Sequence, residues 1–308
     1  MLHLRVIAPP DRSDAALRCL AGSEAATNVV RIPGAAVEPA GDLLQADVAR
    51  EAASDLIGRL RDLGLETDGA IAVADVDLSL SRGAERAERR APGLASDAVV
   101  WEEVEARTSE ESALSVTYLV FMCVAMMIAG FGVLLDQPIL IIGAMVVGPE
   151  FGPLAGLCVA IVQRRGDVAR RSLVALVAGF PVGMAVAVVL TWLFDALGLV
   201  EKSMLTGDRP LTAFIFQPDA VSFVVAFLAG VAGTLSLTSA KSGALVGVLI
   251  SVTTVPAAAN VAVAMAYGVW SEARGSLLQL ALNLSGIVLA GVLTLLVQRL
   301  AWRRVARV

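Results

Sequence analysis

The chain has 308 residues, is 57% hydrophobic and has a mean hydropathy of +0.75, above the roughly 45–50% apolar content of soluble domains. Its net charge of −5 is unevenly placed: residues 1–111 hold 12 Lys/Arg and 21 Asp/Glu, while residues 112–308 hold 12 and 8. An acidic first third without a basic stripe argues against nucleic acid as a partner; a single histidine (His3) and scattered cysteines (Cys19, Cys123, Cys158) offer no material for a metal centre or a His-based catalytic site.

Met1–Pro10 is a short strand-like run and not a secretory signal. LHLRVIAP reads as a first strand. DRSDAALRCLAGS follows as a helix with the stripe Ala15, Leu17, Leu20 and Ala21. TNVVRIPG reads as the second strand and GDLLQADVARE as the third. ASDLIGRLRDLG is an amphipathic helix through Leu56, Ile57, Leu60 and Leu63, closed by Gly64. GAIAVADVDLSLS is a fourth strand, with Ile71, Val73, Asp75 and Asp77 on one face and Val76, Leu78 and Leu80 on the other. The β-α-β-β-α-β order predicts an α+β ferredoxin-like domain over residues 1–81. Such domains bind regulators or pair subunits, so a homo-oligomer is expected, with a dimer favoured. The punctuated, charged stretch from Ser81 to Pro92 is the start of a linker over 82–112. That linker ends in a juxtamembrane helix, DAVVWEEVEARTSEES, with Val100, Trp101 and Val104 on one stripe.

Six segments have the ~20 apolar residues needed to cross a bilayer: Ala113–Leu135, Ile139–Val162, Ser172–Phe194, Ala220–Ala240, Gly243–Val269 and Ser276–Leu300. They form an α-helical polytopic domain over 113–300, followed by a basic tail over 301–308. With the N-terminus in the cytoplasm, nine Lys/Arg fall inside: Arg164, Arg165, Arg170, Arg171, Lys241, Arg299, Arg303, Arg304 and Arg307. Three, Lys202, Arg209 and Arg274, fall outside. This asymmetry predicts a multi-pass protein of the inner (cytoplasmic) membrane with both termini cytoplasmic.

The spans contain a faint repeat. Shifted by 104 positions, Gly143 falls on Gly247, Ala155 on Ala259, Ala160 on Ala264, Ala169 on Ala273, Arg170 on Arg274 and Ser172-Leu173 on Ser276-Leu277. Each unit is three spans with a proline-interrupted middle, so successive units insert in opposite directions. This is a 3+3 inverted repeat with broken second and fifth spans. Pro149 and Pro153, beside Gly148 and Gly152, break the second span; Pro256, after Thr253 and Thr254, breaks the fifth. Proline frees a backbone carbonyl, and freed backbone in hydrocarbon needs protein or a wet cavity. Glu150 sits at the first break, where a charge costs roughly 3 kcal/mol or more, so it must be protonated, paired or facing water.

The predicted substrate or ion site is therefore Gly148, Pro149, Glu150 and Pro153 against Thr253, Thr254, Pro256 and Asn260 near the midplane, completed by Asn283. Lys241 is a candidate cytoplasmic-side contact for an anionic group, or a plain interfacial anchor. No cofactor is expected, and no Ser/His or His/Asp constellation suggests an enzyme.

IGAMVVGPEFGPLAGL, AGVAGTLSLTSAKSGALVGVLISVTTVPAAANV and GSLLQLALNLSGI, in that order after a W-E-E-type helix, resemble the bacterial and archaeal hydrophobic proteins grouped as domain of unknown function 389. The resemblance runs from about Val100 to Ala290. It implies membrane location and a Gly/Pro-rich central motif, here Gly143, Pro149, Gly152 and Pro153, and it implies no activity. Two functions remain in view. One is a secondary transporter or permease for a small solute or ion, gated or assembled by the N-terminal domain. The other is a non-transporting sensor or scaffold whose soluble domain binds a ligand or assembles subunits.

Overall fold

Alternation of apolar and polar residues along Leu2–Ala8 places Leu2, Leu4, Val6 and Ala8 on one face of strand β1, all buried. In the computed structural model, which describes residues 1–76, 78–91, 98–239 and 253–305 (side chains of 302–305 excepted), β1 is central in a four-stranded sheet. The order is β2 (Ala26–Val37), β3 (Ala40–Val48), β1, β4 (Ala70–Asp75), with every neighbouring pair antiparallel. Helices α1 (Pro10–Ala21) and α2 (Arg50–Asp62) separate the strands. Leu20 from α1 and Leu56, Ile57 and Leu60 from α2 join Leu4, Val6, Leu44 and Val48 in one core. The opposite face stays polar, as antiparallel sheets permit; there His3 Nδ1 and Asp47 Oδ1 lie 2.8 Å apart.

Three local readings change. The buried stripe of α1 is Ser13, Ala16 and Leu20, whereas Ala21 is exposed at the helix end. Strand β4 stops at Asp75, so Leu78 and Leu80 take no part in the sheet and are exposed; Asp77 lies outside the described residues. Helix α2 begins at Arg50, within the stretch read as the third strand, and Gly64 follows its end at φ +74°, a left-handed turn that glycine adopts without strain. A one-turn helix, α3 (Leu65–Asp68), leads to β4.

The charged, helix-prone stretch after Ser81 forms a helix. In α4 (Arg82–Arg90) the Ser81 hydroxyl caps the first turn, accepting from Gly83 N and Ala84 N, and Ala84 and Ala87 are buried. The chain divides into two compact units within α5 (Trp101–Glu111), after Glu103. On the first side of that division, Arg50 donates to Asp75 at 3.0 Å and to Glu103 at 2.5 Å, and Ser54 donates to Glu102 at 2.7 Å.

The second unit is helical and membrane-spanning. Four helices are long and apolar enough to cross a bilayer: α6 (Val116–Leu134), α9 (Gly166–Ala196), α11 (Ala220–Thr238) and α13 (Trp270–Val305), the last apolar to Ala301. Helices α7 (Pro138–Val147) and α8 (Phe151–Gln163) are together long and apolar enough for a further span or a re-entrant loop, bent by 52° at Gly148–Glu150. Large apolar side chains such as Val120, Val177, Val224 and Val297 face outward, the pattern of a surface whose solvent is lipid. A five-residue helix α10 (Lys202–Thr206) and a 3₁₀ turn (Ala213–Ile215) lie between α9 and α11. Of the segment read as the fifth span, the described part is α12 (Thr254–Ala266). Every residue from Thr254 to Ala264 is buried, and α12 packs against α6, α7 and α9. Ala257, Ala258, Ala259, Ala262 and Ala264 give this core helix a thin profile, so its neighbours approach closely.

In the sheet-bearing unit, Asp42 Oδ2 accepts from the Ser13 hydroxyl at 2.5 Å, Oδ1 accepts from Gly34 N at 2.8 Å, and Arg31 pairs with it at 2.7 Å. Stabilised by the Ser13 bond first, then Gly34 and Arg31, the carboxyl is held down to about 2. A depressed folded-state value means that the stabilisation is present above the unfolded value of 3.8 and is lost as pH falls towards about 2. Circular dichroism of the protein should show the sheet weakening over that window. Asp42→Asn should lower stability at neutral pH and flatten its acid dependence; an unchanged acid profile would show that Asp42 contributes nothing.

Candidate functional site

The α7–α8 break gathers polar groups because its backbone has no helical partners there. Pro149 cannot donate, and Gly148 leaves the helical conformation at ψ 129°. Glu150 follows as the residue before α8, 5% exposed. Its Oε1 accepts the Thr254 hydroxyl at 2.7 Å, so the first turn of α12 closes directly on the break. Its Oε2 makes no hydrogen bond among the described residues and packs on Gly148. A Cβ at position 148 would collide with that oxygen and come within 2.9 Å of Val255 Cγ2, so a larger residue there would have to displace the carboxylate and Val255. Beyond Thr254, the Thr253 hydroxyl accepts from Asn283 Nδ2 at 2.9 Å, and Asn283 Oδ1 accepts from Gln279 at 3.4 Å.

Of the residues expected at one site, the structure thus joins Gly148, Glu150, Thr253, Thr254 and Asn283. Pro153 is buried within α8 and Pro256 within α12. Asn260 stands apart from Glu150: it donates to Glu272 at 2.9 Å and to Ser276 at 2.7 Å. Lys241 lies outside the described residues.

A cavity of about 440 Å³ reaches the break from one side. Glu110, Glu111, Ser115, Tyr118, Gly148 and Pro149 are among its lining residues, and Pro256 is not. Glu111 lines this cavity, and partial desolvation there pushes its carboxyl above the ordinary value although the residue is exposed. Tyr118 is buried, with its ring and Oη against Gly179 of α9, where a Cβ would lie 2.7 Å from Cε1. The end of α5 seats on α8 through two glycines. A Cβ on Gly152 would lie 2.6 Å from Glu111 Cβ, and one on Gly156 would lie 2.7 Å from Ser172 Oγ, which itself donates to Ser112 Oγ at 3.1 Å. This Gly-x-x-x-Gly spacing is the small-residue seam by which membrane helices approach closely.

Sequence reasoning missed a second polar centre. Helix α13 begins at Trp270, ahead of the Ser276 start read from hydropathy, so Glu272 lies in its first turn. The Glu272 side chain is 9% exposed and pairs with Arg209, which is 4% exposed and stacks over Phe216 at 5.0 Å. The readable signal was a spacing: Glu272, Ser276, Gln279 and Asn283 recur at helical intervals on one face of an otherwise apolar helix.

Residues 145–289 match the family model described as domain of unknown function (DUF389). The resemblance drawn from the motifs is therefore established over that stretch. An uncharacterised protein of Methanocaldococcus jannaschii is 25% identical over 203 residues, covering 62% of this chain and 58% of its own length. No solved structure matches.

The contact between Gly148 and the carboxylate can be tested directly. Gly148→Ala should lower thermal stability in detergent by about 1–3 kcal/mol, the usual cost of overpacking. Glu150→Ala in the same chain should recover part of that loss, because it removes one of the two colliding groups. An unaltered melting profile for Gly148→Ala would show that the break relaxes freely.

Proposed function

We propose that this protein, whose residues 145–289 carry the DUF389 domain, is a secondary transporter or permease for a small solute or ion, with Glu150 as its ion- or proton-coupling group. The observation that carries the reading is the hydrogen bond between Glu150, in the bent α7–α8 span, and Thr254, at the start of the buried α12. A membrane anchor has no use for an acid enclosed where a bent helix pair meets the first turn of another helix. The cavity lined by Glu110, Glu111 and Tyr118 gives that acid an approach from one side.

The inverted repeat is part of the proposal. Its support is a set of contacts that recur at a separation of 104, which is also the separation of Glu150 and Thr254. Gly156 meets Ser172, and Asn260 meets Ser276. Gly183 receives Met122 and Met126, while Ile287 packs on Gly230 and Ala226 lies against Gly286, beside it. A residue that meets its own equivalent lies near the pseudo-two-fold axis, the usual place for a transport site in such folds. The proposal keeps six crossings, the fifth over Gly243–Val269, of which 243–252 lie outside the described residues.

The finer reading of the soluble unit is a ferredoxin-like domain, supported by its element order and by the strand order β2-β3-β1-β4. Its outer strands, β2 and β4, leave edges through which two copies can pair, so a homo-oligomer, with a dimer favoured, belongs to the proposal. The domain bounds proposed are 1–81, 82–112, 113–300 and 301–308.

A second reading, a non-transporting sensor or scaffold, draws on the burial of α12 from Thr254 to Ala264 and on a cavity lined by Gly148 and Pro149 but not by Pro256. Transport separates the two. Proteoliposomes given a mixture of cell metabolites and an imposed proton gradient should accumulate one or a few solutes above protein-free vesicles. Glu150→Gln should abolish the dependence on the gradient while the protein elutes as folded. Vesicles that accumulate nothing favour the scaffold, and a Glu150→Gln protein that keeps full gradient dependence removes the coupling role.

The proposed orientation places both termini in the cytoplasm of a cell with an inner membrane. It rests on the face that carries Arg164 and Arg165, which is also the face of Arg299, since Arg299 donates to Val162 O at 2.8 Å. A cysteine at Thr206 should react with an impermeant thiol reagent from outside the cell, and one at Asp167 should not. The opposite pattern would invert the topology.

A further inference from the structure

Two ion pairs stand at opposite faces of the membrane unit. Helix α9 has 31 residues, about 46 Å at 1.5 Å per residue, so its ends lie on different sides of a bilayer. At its first end, Arg165 pairs with Glu105 of α5. At its other end, Trp192 Nε1 donates to Ala266 O at 2.9 Å and Tyr267 Oη donates to Asp195 at 3.1 Å. That places the start of α13, and with it the Arg209–Glu272 pair, at the far face.

The two pairs are built alike. Glu105 and Arg209 each come from the segment that precedes the first helix of a half, and their numbers differ by the same 104 that separates Glu150 from Thr254. Arg165 and Glu272 each sit at the start of the third helix of a half. The signs are exchanged between the halves, and so is the exposure. Arg165 and Glu105 are 42% and 25% exposed, whereas Arg209 and Glu272 are 4% and 9% exposed. The cavity opens among α5, α6 and the break, on the side of the exposed pair.

We infer that Arg209 and Glu272, held by Asn260, form the far-face gate of the path to Glu150, and that the molecule here is closed at that face and approachable from the Glu105–Arg165 face. The inference rests on the transport reading. Asn260 ties the gate to the site through one rigid helix: α12 carries Thr254, bonded to Glu150, and a turn and a half later Asn260, bonded to Glu272. The pair is also poised to open. Arg209 Nε and Nη1 and Asn260 Oδ1 make no hydrogen bond among the described residues, so part of the cost of separating the pair is offset when water reaches those atoms. An element with two such arrangements is what alternating access requires.

Labelling tests this without any solute. The chain is prepared with Cys19, Cys123 and Cys158 replaced, Thr253→Cys introduced, and an impermeant methanethiosulfonate applied from the far face of the membrane. Thr253→Cys alone should be almost unreactive. Glu272→Gln should raise the rate by about tenfold or more, the size of a substantial population shift. The exchange Arg209→Glu with Glu272→Arg should return it towards the starting value. A rate within about twofold of the parent for a Glu272→Gln protein that elutes normally overturns the gate, and so does an exchange variant as reactive as the single one. If Glu272→Gln fails to reach the membrane, Arg209→Gln is judged by the same criterion. Labelling that behaves as expected in a protein that moves no solute would refute the transport reading and leave the gate standing; transport with unaltered labelling would do the reverse.

Discussion

Everything in the membrane unit turns on one requirement: backbone and side-chain polar groups inside hydrocarbon must be satisfied by the protein itself. The α7–α8 break violates helical self-sufficiency at Gly148–Glu150 and adds a carboxyl group. The remedy is α12, whose first turn delivers the Thr254 hydroxyl to Glu150 and whose flanking Thr253 takes the Asn283 amide. Because that helix must reach the break from every side, it is buried from Thr254 to Ala264, and its neighbours are held close by alanine and glycine. The same small-residue economy recurs where Gly152 and Gly156 receive α5 and where Gly179 receives Tyr118. Small residues here mark the places where another chain segment must come within van der Waals distance of a main chain.

The recurring contacts also differ in a way that matters. In one half, a glycine on the third helix (Gly183) meets large residues on the first (Met122 and Met126). In the other, Ala226 of the first helix lies against Gly286 of the third, and Gly230 against the main chain of Ile287, so small residues meet small residues and backbone there. Under the proposed repeat, two halves packed so differently are not interchangeable, and the two faces need not have equal stability when closed. The ion pairs repeat this asymmetry in charge: acid on the preceding segment and base on the third helix in one half, base and acid in the other.

Much of this was legible before any coordinates. Long apolar runs identified α6, α9, α11 and α13, since each carries enough unbroken hydropathy to stand alone. Proline and glycine located the α7–α8 bend, because loss of an N–H leaves a mark in composition. The βαββαβ order was readable from period-2 and period-3.6 alternation around Leu4, Leu56 and Leu60. The errors were at edges. Strand β4 was drawn too long because Leu78 and Leu80 continue the alternation after the sheet has ended, and pattern alone does not register the missing neighbour. Helix α4 falls in the charged, helix-prone stretch assigned to the linker, where the two buried alanines, Ala84 and Ala87, make a weak stripe.

The misplacement of Asn260 has a different origin. Proximity in sequence to Pro256 suggested that it shared the site of Glu150, but four residues of α-helix after the proline carry it about 6 Å along the axis. There it meets the face of α13 that presents Glu272 and Ser276. Hydropathy hid that partner by starting the sixth span at Ser276, because Trp270, Glu272 and Arg274 lower the average. A buried acid is affordable at such a position only when a base is brought to it, and the base, Arg209, comes from a connection 63 residues earlier. No local pattern joins residues so far apart. The proposed repeat would: Glu105 precedes Arg209 by the same 104 positions that separate Glu150 from Thr254, and each stands before the first helix of its proposed half. On that proposal, a charged residue in that place, matched by an opposite charge at the start of the third helix, belongs to the repeated unit and makes the ends of the two halves chemically comparable even where their residues differ.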